Sequence, residues 1–260
     1  DAENHASLID GCRLARARTV VVPHADLDAI DTALDCVTTD RALVLTEGVY
    51  SMGGDVAPVG ELVEIAHRHG ALVVVDDAHG IGTVGPTGRG ATEELPASQR
   101  PDVLLGTASK ALGVEGGFAC VDETLATLMR NCARGYVFSS APSPVVAAGV
   151  AAAVEYLRTD TRRVCSLQAN VAQARLLLAE ADLIPPSAAH DRGPIIRIPV
   201  GPESRAVAAQ EELARRGLMV GAIRYPAVAR GDAILRICLT ARHTDEHIRI
   251  LVTSLREVLD

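Results

Sequence analysis

Short β-branched runs alternate along the chain with longer stretches whose apolar residues recur at helical spacing. The runs RALVLTE (41–47), ALVVVDDAHG (71–80) and DVLLGTAS (102–109) predict strands, and ELVEIAHRHG (61–70) predicts a helix between the first two. Because these strands are apolar throughout rather than alternating, a mostly parallel central sheet covered by helices on both faces is expected. GGFACVD (116–122) and GYVFSS (135–140) predict two further strands around the helix ETLATLMRNCAR (123–134). From Ala141 to Ala181 the pattern is helical and Ala-rich, ending near the Pro185-Pro186 break. Beyond it, GPIIRIPVG (193–201), GLMVGAIRYP (217–226) and AILRICLTA (233–241) predict strands, with ESRAVAAQEELARRG (203–217) a helix between the first two. The last helix, TDEHIRILVTSLREVLD (244–260), carries Ile248, Leu251, Val252, Leu255, Val258 and Leu259 on one stripe. The class is α/β, with a large domain over 1–155 and a smaller C-terminal α/β domain over 156–260.

Charge and composition narrow the partners. A net charge of -8 leaves no broad basic face to neutralise a phosphate backbone, and 2% aromatics leave few platforms for stacking bases, so nucleic acid is not expected. No apolar stretch approaches the roughly 20 residues of a membrane helix, so no membrane partner is expected either. The six cysteines lie far apart with no CxxC, which predicts buried free thiols in a cytoplasmic protein. The chain opens on Asp1 inside a motif-like stretch and reads as the later part of something longer.

The chemistry gathers where strands end, which is where ligands sit in open α/β sheets. Glu47 with Ser51, Asp76 with His79, and Thr107 with Ser109 and Lys110 each follow a predicted strand. DDAH alone would read as a strand end followed by a solvated turn. A metal site at Asp76, Asp77 and His79 lacks further ligands, so no metal is expected. Lys110 is sharper, because it is the one lysine among 25 Lys plus Arg residues. A desolvated lysine can lose its proton and attack a carbonyl to form an imine, which a guanidinium cannot do. An imine-forming amine beside a strand-end acid points to pyridoxal 5'-phosphate (PLP). Asp76 would hold the pyridine nitrogen protonated, His79 would reach the phenolic oxygen, and Thr107 and Ser109 would meet the phosphate.

NHASLIDGCRLARA (4–17), TEGVYSMGGDVAP (46–58), VDDAHGIGTVGPTGRG (75–90), GTASKALGVEGG (106–117) and YVFSSAPSP (136–144) resemble, in order and spacing, the α-oxoamine synthases. The likeness continues through IRYPAV (223–228) and LRICLTARHT (235–244), and it is nearest to the biotin-biosynthesis member of that family. It implies the PLP-dependent transferase fold type I. It also implies that Lys110 carries PLP and serves as acid and base at the substrate Cα. By the same likeness Asp76 pairs with the ring nitrogen, His79 bonds the phenolic oxygen, His5 stacks on the ring and Thr107 contacts the phosphate. Ser140 would reach the phosphate from the partner subunit of a homodimer with a shared active site. Arg236 would bind the amino-acid carboxylate, and Glu47 and Ser51 would line the site. The implied reaction condenses an acyl thioester, on CoA or a carrier protein, with a small amino acid, L-alanine, and releases carbon dioxide. A glycine C-acetyltransferase-like enzyme, an aminotransferase, or a non-catalytic paralogue subunit are the alternatives.

Three departures accompany the likeness. Gly53 stands where the family has an aspartate. Ile234-Leu235-Arg236 replaces its RLR motif and leaves Arg236 as the candidate there. The family's N-terminal portion, with a Gly-rich phosphate loop and part of the thioester entrance, has no counterpart in these residues.

Overall fold

The computed structural model describes residues 1–38 and 41–260. They form two compact units, one of Asp1–Tyr50 with Ala57–Thr161 and one of Ser51–Val56 with Arg162–Asp260.

The first unit starts with two helices, α1 (Ala6–Ala15) and α2 (Leu27–Asp35), and continues through β1 (Leu43–Glu47), α3 (Val59–Arg68), β2 (Leu72–Asp76), β3 (Val103–Thr107) and β4 (Gly117–Val121). It ends with α4 (Glu123–Cys132), α5 (Arg134–Val137) and α6 (Pro144–Thr159). Its sheet has the order β1-β2-β3-β4, the first three strands parallel and β4 antiparallel to β3. Val73 and Val75 point to one face and are fully buried there with Leu62, Val63 and Ala66 of α3 and Ile30 and Leu34 of α2. Each such valine contributes about 2 kcal/mol by leaving water. Leu43 and Leu72, at the strand starts, remain exposed. Caps fix the helix starts: the Asp122 carboxylate accepts from Leu125 N at 2.7 Å, and Ser143, followed by Pro144, accepts from Val146 N at 3.3 Å.

The second unit contains α7 (Arg162–Glu180), β5 (Ile195–Gly201), α8 (Glu203–Arg215), β6 (Gly221–Ile223), β7 (Ala233–Cys238) and α9 (Asp245–Leu259). Its strands run antiparallel in the order β5-β7-β6. Ile248, Leu251 and Leu255 of α9 join Ile196, Ile198, Leu235 and Leu213 in its core, as the apolar stripe predicted. Thr244 and His247 cap α9 reciprocally, each side chain accepting from the other's backbone N–H. The segment 51–56 is held by Arg175, which is 2% exposed and donates to the carbonyls of Gly54, Gly193 and Ile195.

Some expectations change. GYVFSS is no strand: Arg134–Val137 make a helical turn, Phe138 N bonds to Arg134 O at 3.0 Å, and the Arg134 guanidinium lies 4.9 Å from the Phe138 ring centre. Local i to i+4 contacts win there: among the described residues no strand pairs with this segment, so β-propensity has nothing to act on. Of the strand predicted over 217–226, only Gly221–Ile223 pairs; Leu218 is still tied to the end of α8 through Leu213 O. The cysteines are free, but Cys36, Cys120, Cys132, Cys165 and Cys238 are exposed and Cys12 is half-buried. Cys12, Cys36, Cys132 and Cys165 fall on or at the ends of helices, Cys120 on the weakly covered strand β4, which has no fully buried position, and Cys238 at the exposed last position of β7.

Candidate active site

Parallel pairing puts the C-terminal ends of β1, β2 and β3 along one edge of the first sheet. Glu47 pairs directly with Asp76, Asp76 pairs with Leu105, and β3 runs on to Thr107, which faces Gly117 of β4. Glu47 is buried, whereas Asp76 and Thr107 are half-buried. Two acids and a hydroxyl thus share the edge that the sequence pattern indicated.

The chain then leaves β3 in a tight loop. Thr107 Oγ1 donates to Gly116 O at 3.1 Å, lies 2.8 Å from Ser109 Oγ, and accepts from Ser109 N at 3.2 Å. Ala108 N to Gly116 O, Val114 N to Ala108 O and Gly113 N to Lys110 O close the same loop. Gly113 and Gly116 both have positive φ, so the turn back to β4 needs glycine. This loop presents Lys110 and Ser109 exposed beyond the strand edge, with the Thr107 hydroxyl beneath them.

On the neighbouring strand, Asp76 Oδ1 accepts from Ala78 N at 3.0 Å and starts the turn that carries His79. Thr83 Oγ1 donates to His79 O, fixing that turn from below. Asp77 points the other way and is completely buried. Its Oδ2 accepts from Ala91 N at 2.9 Å. Burial pushes its carboxyl up to about 7, with the Ala91 N–H opposing and the charge of Asp76 adding to the rise.

His5 caps α1, its Nδ1 accepting from Ser7 N at 3.3 Å, which leaves the ring proton on Nε2 when the imidazole is neutral. The segment before it is pinned to β1: Asn4 Nδ2 donates to Leu45 O at 2.8 Å, and Tyr50 Oη donates to Asp1 Oδ2 at 2.8 Å. His5 is therefore tethered two residues from the Glu47 end of β1. Ser140 lies exposed between α5 and α6. In the second unit, Arg236 Nε donates to Ser51 O at 2.7 Å and Nη1 lies 3.0 Å from Cys238 Sγ, so these two predicted residues meet. The predicted groups of the first unit other than Ser140 thus gather along one sheet edge or its tethered flank. The sequence reading did not single out Arg175, nor the burial of Asp77; the recurrent glycines Gly48, Gly80 and Gly90 carry the signal for the latter. Among the described residues no group of three His, Cys, Asp or Glu is placed to hold a metal ion, and no helix is long and apolar enough to cross a membrane.

Comparison with known proteins places this arrangement. The aminotransferase class I and II family pattern matches residues 1–255. The chain is 99% identical over 260 residues to the biotin biosynthesis bifunctional protein BioWF of Cutibacterium acnes (strain SK137), covering all of this chain and 39% of that protein. It is 44% identical over 257 residues to the 8-amino-7-oxononanoate synthase of Halorhodospira halophila (strain DSM 244 / SL1), covering 98% of this chain and 63% of that one. A serine palmitoyltransferase variant from S. paucimobilis, solved with a bound PLP–myriocin aldimine, superimposes with a TM-score of 0.92 at 30% identity, covering 99% of this chain and 65% of that one. The chain thus spans less than two thirds of each of these proteins. The fold is that of the type I PLP-dependent transferases, as the α/β pattern and the resemblance implied. With the strand-edge acids, the lysine loop and these likenesses in agreement, the chain belongs to the aminotransferase class I and II family, among its α-oxoamine synthases.

Proposed function

We propose that this chain forms the cofactor-binding core of a PLP-dependent acyltransferase. The reaction condenses an acyl thioester, on CoA or a carrier protein, with L-alanine and releases carbon dioxide, leaving an α-amino ketone as in 8-amino-7-oxononanoate synthesis for biotin. The observation that carries the reading is the placement of Asp76 and Thr107 on one strand edge with Lys110 in the loop above it. An acid, a hydroxyl pair and an amine form a donor set suited to a group with a ring nitrogen, a phosphate and an aldehyde. PLP, when bound, supplies an electrophilic carbon and a ring that accepts electrons from a breaking bond at the substrate Cα.

The remaining work falls to this chain. Lys110 Nζ holds the cofactor covalently and later moves the proton at the substrate Cα. The Asp76 carboxylate keeps the ring nitrogen protonated, and His79 hydrogen-bonds the phenolic oxygen. His5 covers one ring face, with its Nδ1 engaged by Ser7 so that the ring orientation is set. Thr107 binds the phosphate, Arg236 binds the amino-acid carboxylate, and Glu47 and Ser51 line the pocket. Ser140 serves the site of a second copy. Support for that homodimer comes from α4, α5 and α6, which bury no residue although they carry Leu128, Tyr136, Val145 and Val154, and from Phe138 just past α5, which is exposed as well. Five exposed free thiols suit a reducing, cytoplasmic setting.

The test is a panel of alanine, serine and glycine, each mixed with the full-length PLP-loaded protein and acyl-CoA or acyl carrier protein thioesters. Release of carbon dioxide and free thiol with alanine is the expected result. Amino-group transfer to a keto acid with no thiol release would overturn the acyltransferase reading.

A further inference from the structure

Asp77 lies one residue past β2 and has no part in the chemistry above. Its Oδ2 accepts from Ala91 N at 2.9 Å, while its buried Oδ1 has no well-aligned hydrogen bond and only the nearby Gly80 N–H to favour its charge. Three glycines from three different turns close around this carboxyl. A Cβ on Gly48 would stand 2.2 Å from Oδ1, one on Gly80 2.0 Å from Oδ1, and one on Gly90 1.8 Å from Oδ2. All three distances are far inside van der Waals contact, so each backbone approaches the carboxyl as only glycine allows.

The three turns are those that build the strand edge. Gly48 follows Glu47, and its N–H donates to Asp76 O at 2.8 Å. Gly80 ends the turn that carries His79, and its N–H donates to Asp77 O at 3.1 Å. Gly90 precedes Ala91, the residue whose N–H the carboxyl accepts. Asp77 N in turn donates to Leu105 O of β3 at 2.9 Å, which ties the same residue to the lysine-bearing strand.

We propose that Asp77 is a positioning residue: its buried carboxyl, gripped by Gly48, Gly80 and Gly90, locks three turns so that Asp76 and His79 are aimed at the cofactor ring. This rests on the PLP reading above. An acid that served only the fold would leave cofactor affinity and spectrum untouched once the protein is folded. A positioning residue moves both.

The experiment titrates PLP into the full-length protein, following absorbance and measuring Kd, for the native protein and for Asp77→Asn, Asp77→Ala and Gly48→Ala. Far-UV circular dichroism establishes which variants are folded. Asp77→Ala is expected to raise the PLP Kd by about tenfold or more and to shift the bound-cofactor absorbance maximum, the size seen when outer partners of a site are removed. Asp77→Asn, which keeps the shape and an acceptor for Ala91 N, restores Kd to within about threefold, since a neutral isostere preserves the grip. Gly48→Ala, at an ordinary φ, pushes a methyl against the carboxyl and is expected to resemble Asp77→Ala. Native Kd and native absorbance in folded Asp77→Ala would overturn the proposal; if that variant does not fold, the same result in Gly48→Ala would do so. A native protein that binds no PLP defeats the cofactor reading instead, so the two failures are distinguishable.

Discussion

Lys110 and Asp77 show how differently two single residues can be read. Lys110 stands out by composition alone, since every other basic side chain of the lysine and arginine class is arginine, and the loop between Thr107 and Gly116 presents it exposed. Exposure means that its replacement costs the fold little. Lys110→Arg is expected to change stability by no more than about 0.5 kcal/mol while abolishing the absorbance of covalently held PLP; thermal melting and a spectrum after cofactor addition check both halves. Asp77 was visible in DDAH only as one of two adjacent acids. What the sequence did not convey is that Asp77 continues the buried side of β2 set by Val73 and Val75, whereas Asp76 stays half-buried. Its carboxyl is raised to about 7 from 3.8. The native state therefore holds a proton between those values that the unfolded chain has lost. The associated stability is fully present below pH 3.8 and is lost as the pH rises through about 7. Chemical denaturation between pH 4 and 8 is expected to show this decline, at most about 1.4 kcal/mol per pH unit, and Asp77→Asn is expected to remove that component.

At the scale of elements, the parallel strands and the large helices of both units were legible because each carries a long, one-sided or fully apolar pattern. GYVFSS was misread because aromatic and β-branched residues favour a strand only where a partner edge is available, and a local turn with the Arg134–Phe138 contact took its place. The helices α1 and α2 are not evident from the pattern: α1 buries Leu8 and α2 buries Ile30 and Leu34, too few to set a period. The segment 51–56 was read as part of a family motif without its structural reason. Gly54 there has a φ of 76°, and a Cβ would meet Ile195 O at 1.9 Å, next to the buried guanidinium of Arg175. Gly54→Ala is expected to destabilise the protein by about 2 kcal/mol or more, combining left-handed strain with a backbone clash, as measured by equilibrium denaturation.

For the molecule as a whole, the two units have separate cores, and one surface of the first remains apolar. Phe138 is 73% exposed, Tyr136 67% and Val145 81%, on or beside α5 and α6, which have no buried position among the described residues. The proposed homodimer would cover these side chains. Phe138→Arg in the full-length protein is expected to shift sedimentation from dimer toward monomer and to weaken PLP binding with it, since the proposed role of Ser140 is toward the site of the second copy; an unchanged dimer would remove these side chains from the account. The central claim is that Lys110 holds PLP. Its most direct test is borohydride reduction of the full-length protein with PLP, followed by proteolysis and mass spectrometry. A reduced pyridoxyl phosphate mass on the peptide containing Lys110 is the predicted result, and an unmodified Lys110 peptide after complete reduction would contradict the account.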